Sequence, residues 1–271
     1  MNENGSVPLW CLLTTSSFAG LLSHRQLPSA ISITTPDFLS GNSHFLELVQ
    51  LLLTRAIEEE GLKMTASGWL SRADVAALFE DMNWNIYERA LIRSVNKVLD
   101  ETDVTPIHAA RKIAQNAGLL RRKGNRLYST KKAQKMDQRE LFRAVFESMF
   151  WRTNLSELDG VQLQGWPQDH AGVVLWSISV SAERWIEPEA LMKLVTMTRP
   201  VLDRFSRSAL LSAFVLRILR PLVWLDMIEA DRGDELLPTS LRQSPFRKTK
   251  LFDQSLHFNV GMHGLLQGQL H

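Results

Sequence analysis

The chain has 271 residues, 45% hydrophobic and 22% charged, with eight tryptophans, which excludes a disordered chain and leaves room for one or two packed domains. A single cysteine, Cys11, excludes an internal disulfide and a thiolate metal cluster, so a reducing, cytoplasmic setting is expected. The formal net charge of +2 hides a local excess: residues 104–136 hold nine basic side chains and no acidic one, so the remainder is net acidic.

Residues 7–22 (VPLWCLLTTSSFAGLL) are apolar enough to be checked as an export signal. Glu3 precedes them, no Lys or Arg does, and Thr14, Thr15, Ser16 and Ser17 interrupt the run, so export is not expected. No apolar run reaches the roughly 18 residues of a membrane span. Residues 1–43, rich in Ser and Thr and holding Pro8, Pro28 and Pro36, read as an irregular N-terminal arm whose Leu12, Leu13, Phe18, Leu21 and Leu22 are available to pack on a neighbouring surface.

From His44 the sequence HFLELVQLLLTRAIEEEG spaces Phe45, Leu48, Val49, Leu52, Leu53 and Ile57 helically, and Gly61 closes the helix. Glu58, Glu59 and Glu60 read as its solvated end. A short extended segment with a turn at Ser67-Gly68 follows, then a helix over 73–81 with Ser71 and Asp74 as a capping box. Another helix is predicted over 86–99, broken by the DETD at 100–103.

Thr105 as N-cap, Pro106 in the first turn and Gly118 past the end punctuate a helix over 106–117. Its apolar side is Ile107, Ala110, Ile113, Ala114 and Ala117. His108, Arg111, Lys112, Gln115 and Asn116 are predicted to point away, and such side chains reach phosphates and base edges. Residues 119–123 and 126–130 pair across Gly124-Asn125, a loop suited to a type II′ turn. The hairpin would carry Arg121, Arg122, Lys123 and Arg126 as a basic wing, with Lys131 and Lys132 just beyond.

Helical spacing resumes over 140–152, and the Gly-, Asn- and Asp-rich stretch 153–170 reads as a linker. Helices are predicted over 171–181, 188–197, 200–205 and 208–219, the last bent or ended at Arg220-Pro221. Residues 219–229 (LRPLVWLDMIE) and 246–252 (FRKTKLF) repeat, in outline, 114–122 (AQNAGLLRR) and 126–133 (RLYSTKKA). Residues 231–234 would form the turn and 236–245 an inserted loop. The helix SALLSAFVLRILR is apolar nearly all round and belongs in a core or an interface.

Residues 63–70 (KMTASGWL), the H-x-x-R of His108 and Arg111, and AGLLRR followed by the Thr-Lys-Lys at 130–132 resemble the helical C-terminal region of the plasmid ORF-three-like family of bacterial proteins. The resemblance spans about residues 45–136. It departs from that family in lacking a preceding α/β domain. It implies a prokaryotic, winged-helix-like unit and no catalytic residue.

The expectation is a mainly α protein of two winged-helix-like halves: an arm (1–43), a basic domain (44–152), a linker (153–170), a second helical domain (171–260) and a flexible tail (261–271). Its first half is expected to bind duplex DNA without catalysis, with Arg111, Lys112 and Gln115 facing the major groove and His108 available to a phosphate or a base. Arg121, Arg122, Lys123 and Arg126 would lie on the backbone or in the adjacent minor groove, and Lys131 and Lys132 would add phosphate contacts. A histidine early in a helix more often packs locally, and a basic run is often a solvated face. The competing expectation is therefore a scaffold module that docks a protein partner or a second copy through 208–228. The seven scattered histidines show no ligand spacing, and no G-x-S-x-G, Walker, dinucleotide or zincin motif occurs, so neither metal, cofactor nor enzyme activity is expected. Trp176, Trp185 and Trp224, set among aliphatic residues, are expected in the core.

Overall fold

In the computed structural model residues 7–35, 43–83, 89–197, 200–231 and 241–263 are described. They pack as two units, one from the described residues between 37 and 153 and the other from those before 37 and after 153. The chain is mainly helical with small antiparallel strand pairs, as its periodicity predicts. Among the described residues no helix is long and apolar enough to cross a membrane.

The N-terminal segment is not the irregular arm that its prolines and hydroxyls predict. A 3-10 turn (Leu9–Leu12) leads to helix α1 (Thr15–Leu21), capped by Thr14 accepting the Ser17 N–H, and then to strand β1 (Ile31–Ile33). Burial explains the order. Leu13, Leu21, Ile31 and Ile33 are buried while Ser32 faces out, the alternation of a one-sided strand.

In the 37–153 unit, α2 (His44–Glu58) is capped by Ser43 and buries Phe45, Leu48, Val49, Leu52 and Leu53 as spaced, whereas Ile57 is exposed. Strand β2 (Leu62–Lys63) precedes α3 (Arg72–Asp81), whose cap Ser71 accepts the Asp74 N–H. The Asp74 carboxylate turns outward to the Lys63 N–H. Helix α4 (Arg89–Val95) is shorter than the predicted 86–99, of which 86–88 lie outside the described residues. Helix α5 (Thr105–Asn116) begins at Thr105 itself, after Val104 as a cap without a side-chain bond.

Strands β3 (Leu120–Lys123) and β4 (Arg126–Ser129) pair with Lys123 opposite Arg126. Gly124 has φ +62° and Asn125 is not among the positive-φ residues, as a type II′ turn requires. Strand β2 joins β4 from the other side, Leu62 opposite Leu127, in the order β2-β4-β3. Helix α6 (Gln138–Glu147) has a complete Asp137/Glu140 capping box and passes into a π turn (Ser148–Arg152), so the predicted 140–152 helix changes pitch at its end. Phe142 stacks on Phe146, which meets Phe150 at a tilt, with α2, α5 and α6 enclosing the core.

The 153–170 stretch is not a linker, since Leu155, Leu163 and Trp166 are buried. A single guanidinium orders it. The fully buried Arg217 donates through Nε to Asp159 at 2.6 Å and through its Nη atoms to the carbonyls of Val161 (2.8 Å), Trp166 (2.6 Å) and Leu163. Backbone carbonyls with no helix or strand partner are satisfied by one residue far away in sequence, so no periodicity marks the segment.

Helices α7 (Ala171–Ser181), α8 (Pro188–Val195) and α9 (Arg207–Phe214) follow, with a 3-10 turn at Pro200–Arg204. A π turn (Val215–Leu219) then passes into α10 (Arg220–Trp224), so Arg220-Pro221 does not end the helix. Pro221 enters as a first-turn residue of α10, where a missing N–H costs nothing. Ala213, Phe214, Val215, Ile218, Leu219 and Leu222 are buried within the chain, so the apolar stretch is core. Trp176 and Trp224 are buried as expected, but Trp185 is 42% exposed beneath Arg247.

Strands β5 (Ile228–Ala230) and β6 (Phe246–Lys248), helix α11 (Lys250–Ser255) and β7 (Leu256–Phe258) complete the unit. β7 pairs with β1, Ile31 opposite Phe258, and Leu13 bridges Met262. Ile186 bridges Phe246 on the far side of β6 from β5, which reproduces the β2-β4-β3 order of the first unit. Each unit thus has a hairpin whose second strand takes a further extended segment on its other edge, strand β2 in the first unit and the single Ile186 bridge in the second. Residues 232–240 of the expected turn and inserted loop, and 264–271 of the tail, lie outside the described residues.

Candidate nucleic-acid interface

Helix α5 is the centre of the 37–153 unit. Its apolar side packs on α2, as spaced, but His108 and Arg111 do not face solvent: they are 8% and 4% exposed. Arg111 Nε donates to Glu101 Oε1 at 2.6 Å and its Nη1 to Gln115 Oε1 at 2.6 Å. The other Glu101 oxygen accepts the Leu70 N–H at 2.7 Å. The Trp69 ring lies 5.8 Å from the guanidinium and meets the His108 ring edge-on at 5.0 Å. The polar stripe of α5 is therefore covered by the 65–72 turn and by the short turn Glu101–Asp103.

Burial pushes the Glu101 carboxyl above the usual glutamate range, against the pull of Arg111 and of the Leu70 N–H. Lys112 and Gln115 are half-buried, and Asn116 donates to Thr153 Oγ1 at 3.0 Å. The predicted reading face is thus largely spent inside the fold. The signal that would have found this is Glu101 in the DETD segment, a buried acid immediately upstream of an all-basic stretch.

The hairpin differs. Strand alternation turns Leu120 and Leu127 into the core and Arg121, Lys123, Arg126 and Tyr128 to the outer sheet face. Arg121, Arg122 and Lys123 are exposed. Arg122 Nε donates to the Gly124 carbonyl at 3.0 Å, which folds that side chain back along the turn. Arg126 is not a free cation. Its Nη1 donates to the carbonyls of Glu59 (2.8 Å), Glu60 (3.2 Å) and Gly61 (2.7 Å), closing the C-terminus of α2 beside the exposed Glu58 to Glu60 run.

Lys131 and Lys132 are exposed in the turn after β4, which Thr130 holds by donating to the Gly118 carbonyl and accepting the Ala133 N–H. Among the described residues Arg121, Lys123, Lys131 and Lys132 form no ion pair. A groove of about 500 Å³ lies along this edge, lined by Arg121, Arg122, Lys123, Tyr128, Ser129, Thr130 and Lys131, with no acidic side chain. Tyr128, unremarked in the sequence, is the aromatic member of this lining. No cluster of His, Cys, Asp and Glu among the described residues could hold a metal ion.

Among the described residues the strands of the other unit's hairpin have their cations paired. Arg247 pairs with Glu229 at 2.6 Å, and Lys248 with Glu183 and Asp253 at 2.6 and 2.7 Å. Burial pushes the Lys248 ammonium down, and its bonds to Asp253 and Glu183 outweigh this and hold it above the usual lysine range. Among the described residues, unpaired basic charge lies on the β3–β4 hairpin, whereas the β5 and β6 strands carry paired cations.

Over residues 41–141 the chain is similar to the Y4jL N-terminal domain, whose family model matches there. No curated protein and no solved structure matches. The Y4jL-like span runs from α2 into α6 and so contains both the covered stripe of α5 and the basic hairpin.

Proposed function

We propose that the 37–153 unit is a non-enzymatic, cytoplasmic DNA-binding module of winged-helix type that holds duplex DNA by its hairpin instead of by helix α5. The observation that carries this reading is the exposed set Arg121, Lys123, Lys131 and Lys132, without ion pairs among the described residues, around a groove lacking acidic side chains. Such cations neutralise phosphates and release condensed counterions. The donors of Arg111 go to Glu101 and Gln115, so recognition is by the backbone and tolerant of sequence. Arg126 stays with α2, and His108 with Trp69. The resemblance of residues 45–136 to the plasmid ORF-three-like family belongs to the same proposal.

The test is binding of a labelled duplex as a function of salt. Four phosphate contacts give a slope of roughly −3 to −4 in log K against log salt, and Arg121→Ala with Lys123→Ala reduces it by about 2. An intact protein with no salt-dependent duplex affinity sinks the proposal. It would leave standing the competing reading, a protein-interaction module, which the burial of Arg111 favours because a base-reading helix keeps such a side chain free.

A further inference from the structure

The outer face of the hairpin sheet carries a feature that phosphate binding does not use. A Cβ added to Gly61 would lie 2.8 Å from Tyr128 Cε1 and 3.0 Å from both Cδ1 and Cζ. Three such similar distances place it above the ring plane, because an edge-on approach at Cε1 would leave the two flanking carbons markedly farther off. The Gly61 backbone therefore covers one face of the Tyr128 ring. The ring is half-exposed and lines the groove with what remains.

The Gly61 cover of this ring is held in place. Gly61 has φ +97°, donates its N–H to the Ala56 carbonyl at 3.0 Å and gives its own carbonyl to Arg126 at 2.7 Å. Arg121 is the direct cross-strand partner of Tyr128, with Lys123 on the same sheet face and Lys131 at the rim. A fixed aromatic surface beside free cations is how proteins hold unpaired nucleotides: the base stacks and the backbone follows the charge, whatever the base. A paired base is already stacked inside its duplex and cannot use the ring. The groove, about 500 Å³, is within the roughly 300–1,000 Å³ that encloses a small organic ligand.

We propose that Tyr128 is a stacking platform and that the hairpin takes a single-stranded DNA segment, one base on the Tyr128 ring and the adjoining phosphates on Arg121, Lys123 and Lys131. This rests on the DNA-binding reading above and names the form of DNA that the site prefers.

The test uses the full chain and fluorescence anisotropy with three labelled probes at one salt concentration: oligothymidine, a duplex of equal length, and an abasic oligomer of the same backbone. Oligothymidine is expected to bind more tightly than the duplex and about tenfold more tightly than the abasic strand. Tyr128→Phe keeps this preference. Tyr128→Leu, with unchanged circular dichroism, loses it about tenfold for oligothymidine while duplex and abasic affinities stay as they were. Should the leucine variant unfold, the abasic comparison on the unaltered protein decides alone. Equal affinity for oligothymidine and abasic strand, or tighter duplex binding, overturns the platform and leaves the DNA-binding reading in place. Failure to bind any probe overturns both.

Discussion

Arg111 Nε and Glu101 Oε1 are 2.6 Å apart, with the two side chains 5% and 0% exposed, so a charge pair sits where the sequence pattern points to a solvent-facing helix stripe. Removing one member leaves the other buried without its counter-charge. Arg111→Met or Glu101→Leu is expected to cost about 3–5 kcal/mol, read as a lowered urea midpoint, whereas the double substitution recovers much of the loss. Single variants as stable as the parent would show that the pair is not buried in solution.

The same pair sets a pH dependence with a definite sign. The Glu101 carboxyl is raised in the folded chain, chiefly by burial, so the folded state holds this proton at a pH where the unfolded chain has released it. Its contribution is present in full below the ordinary glutamate range and is lost as pH rises through the raised value. Relative to Glu101→Gln, the parent is therefore expected to lose stability as pH rises above the ordinary glutamate range, measured as urea midpoints at a series of pH values. A parent that gains on Glu101→Gln over that rise contradicts the assignment.

Arg126 and Arg121 lie on the same hairpin and are expected to part company under mutation. Arg126 closes the end of α2 through three carbonyls, so Arg126→Ala should lower stability by about 1.5–3 kcal/mol and leave the salt slope of DNA binding unchanged. Arg121→Ala should do the reverse. Thermal melts and salt titrations of the two variants separate the roles.

Gly172 offers a test of reversed sign. Alanine in place of a helical glycine ordinarily stabilises by about 1 kcal/mol. Here the added Cβ would fall on the Leu21 carbonyl oxygen and crowd the Pro28 ring, where α1 rests on α7. Gly172→Ala should therefore lower the melting temperature, and a rise would show that the N-terminal segment is not docked on α7.

What local pattern encodes is legible in this chain, and what distant pairing encodes is not. The apolar spacing of α2, the Ser71 cap, the Gly124-Asn125 turn and the outline repeat around FRK are short-range features, and each has its counterpart in the fold. The stripe His108-Arg111-Gln115 has the period of an exposed helix face, but Glu101 and Trp69, supplied by segments without periodicity, cover it. The 153–170 stretch reads as a linker because its order comes from Arg217 and not from its own sequence. At the candidate site, exposure of Arg121, Arg122, Lys123, Lys131 and Lys132 follows from charge density, whereas the diversion of Arg126 to α2 and the seating of Tyr128 on Gly61 depend on neighbours more than sixty residues away.

The β1–β7 ladder joins Ile31 to Phe258, with the whole 37–153 unit between them in the chain. A ribosome releases the chain from one end, so the basic unit has all its helices and strands before the strand that completes its neighbour has been translated. Until then Ile31 and Ile33 have no partner for their edge, and a segment made before the basic unit is locked in place after it. The nested arrangement imposes an order of assembly during synthesis: the 37–153 unit first, and the unit that flanks it in sequence second.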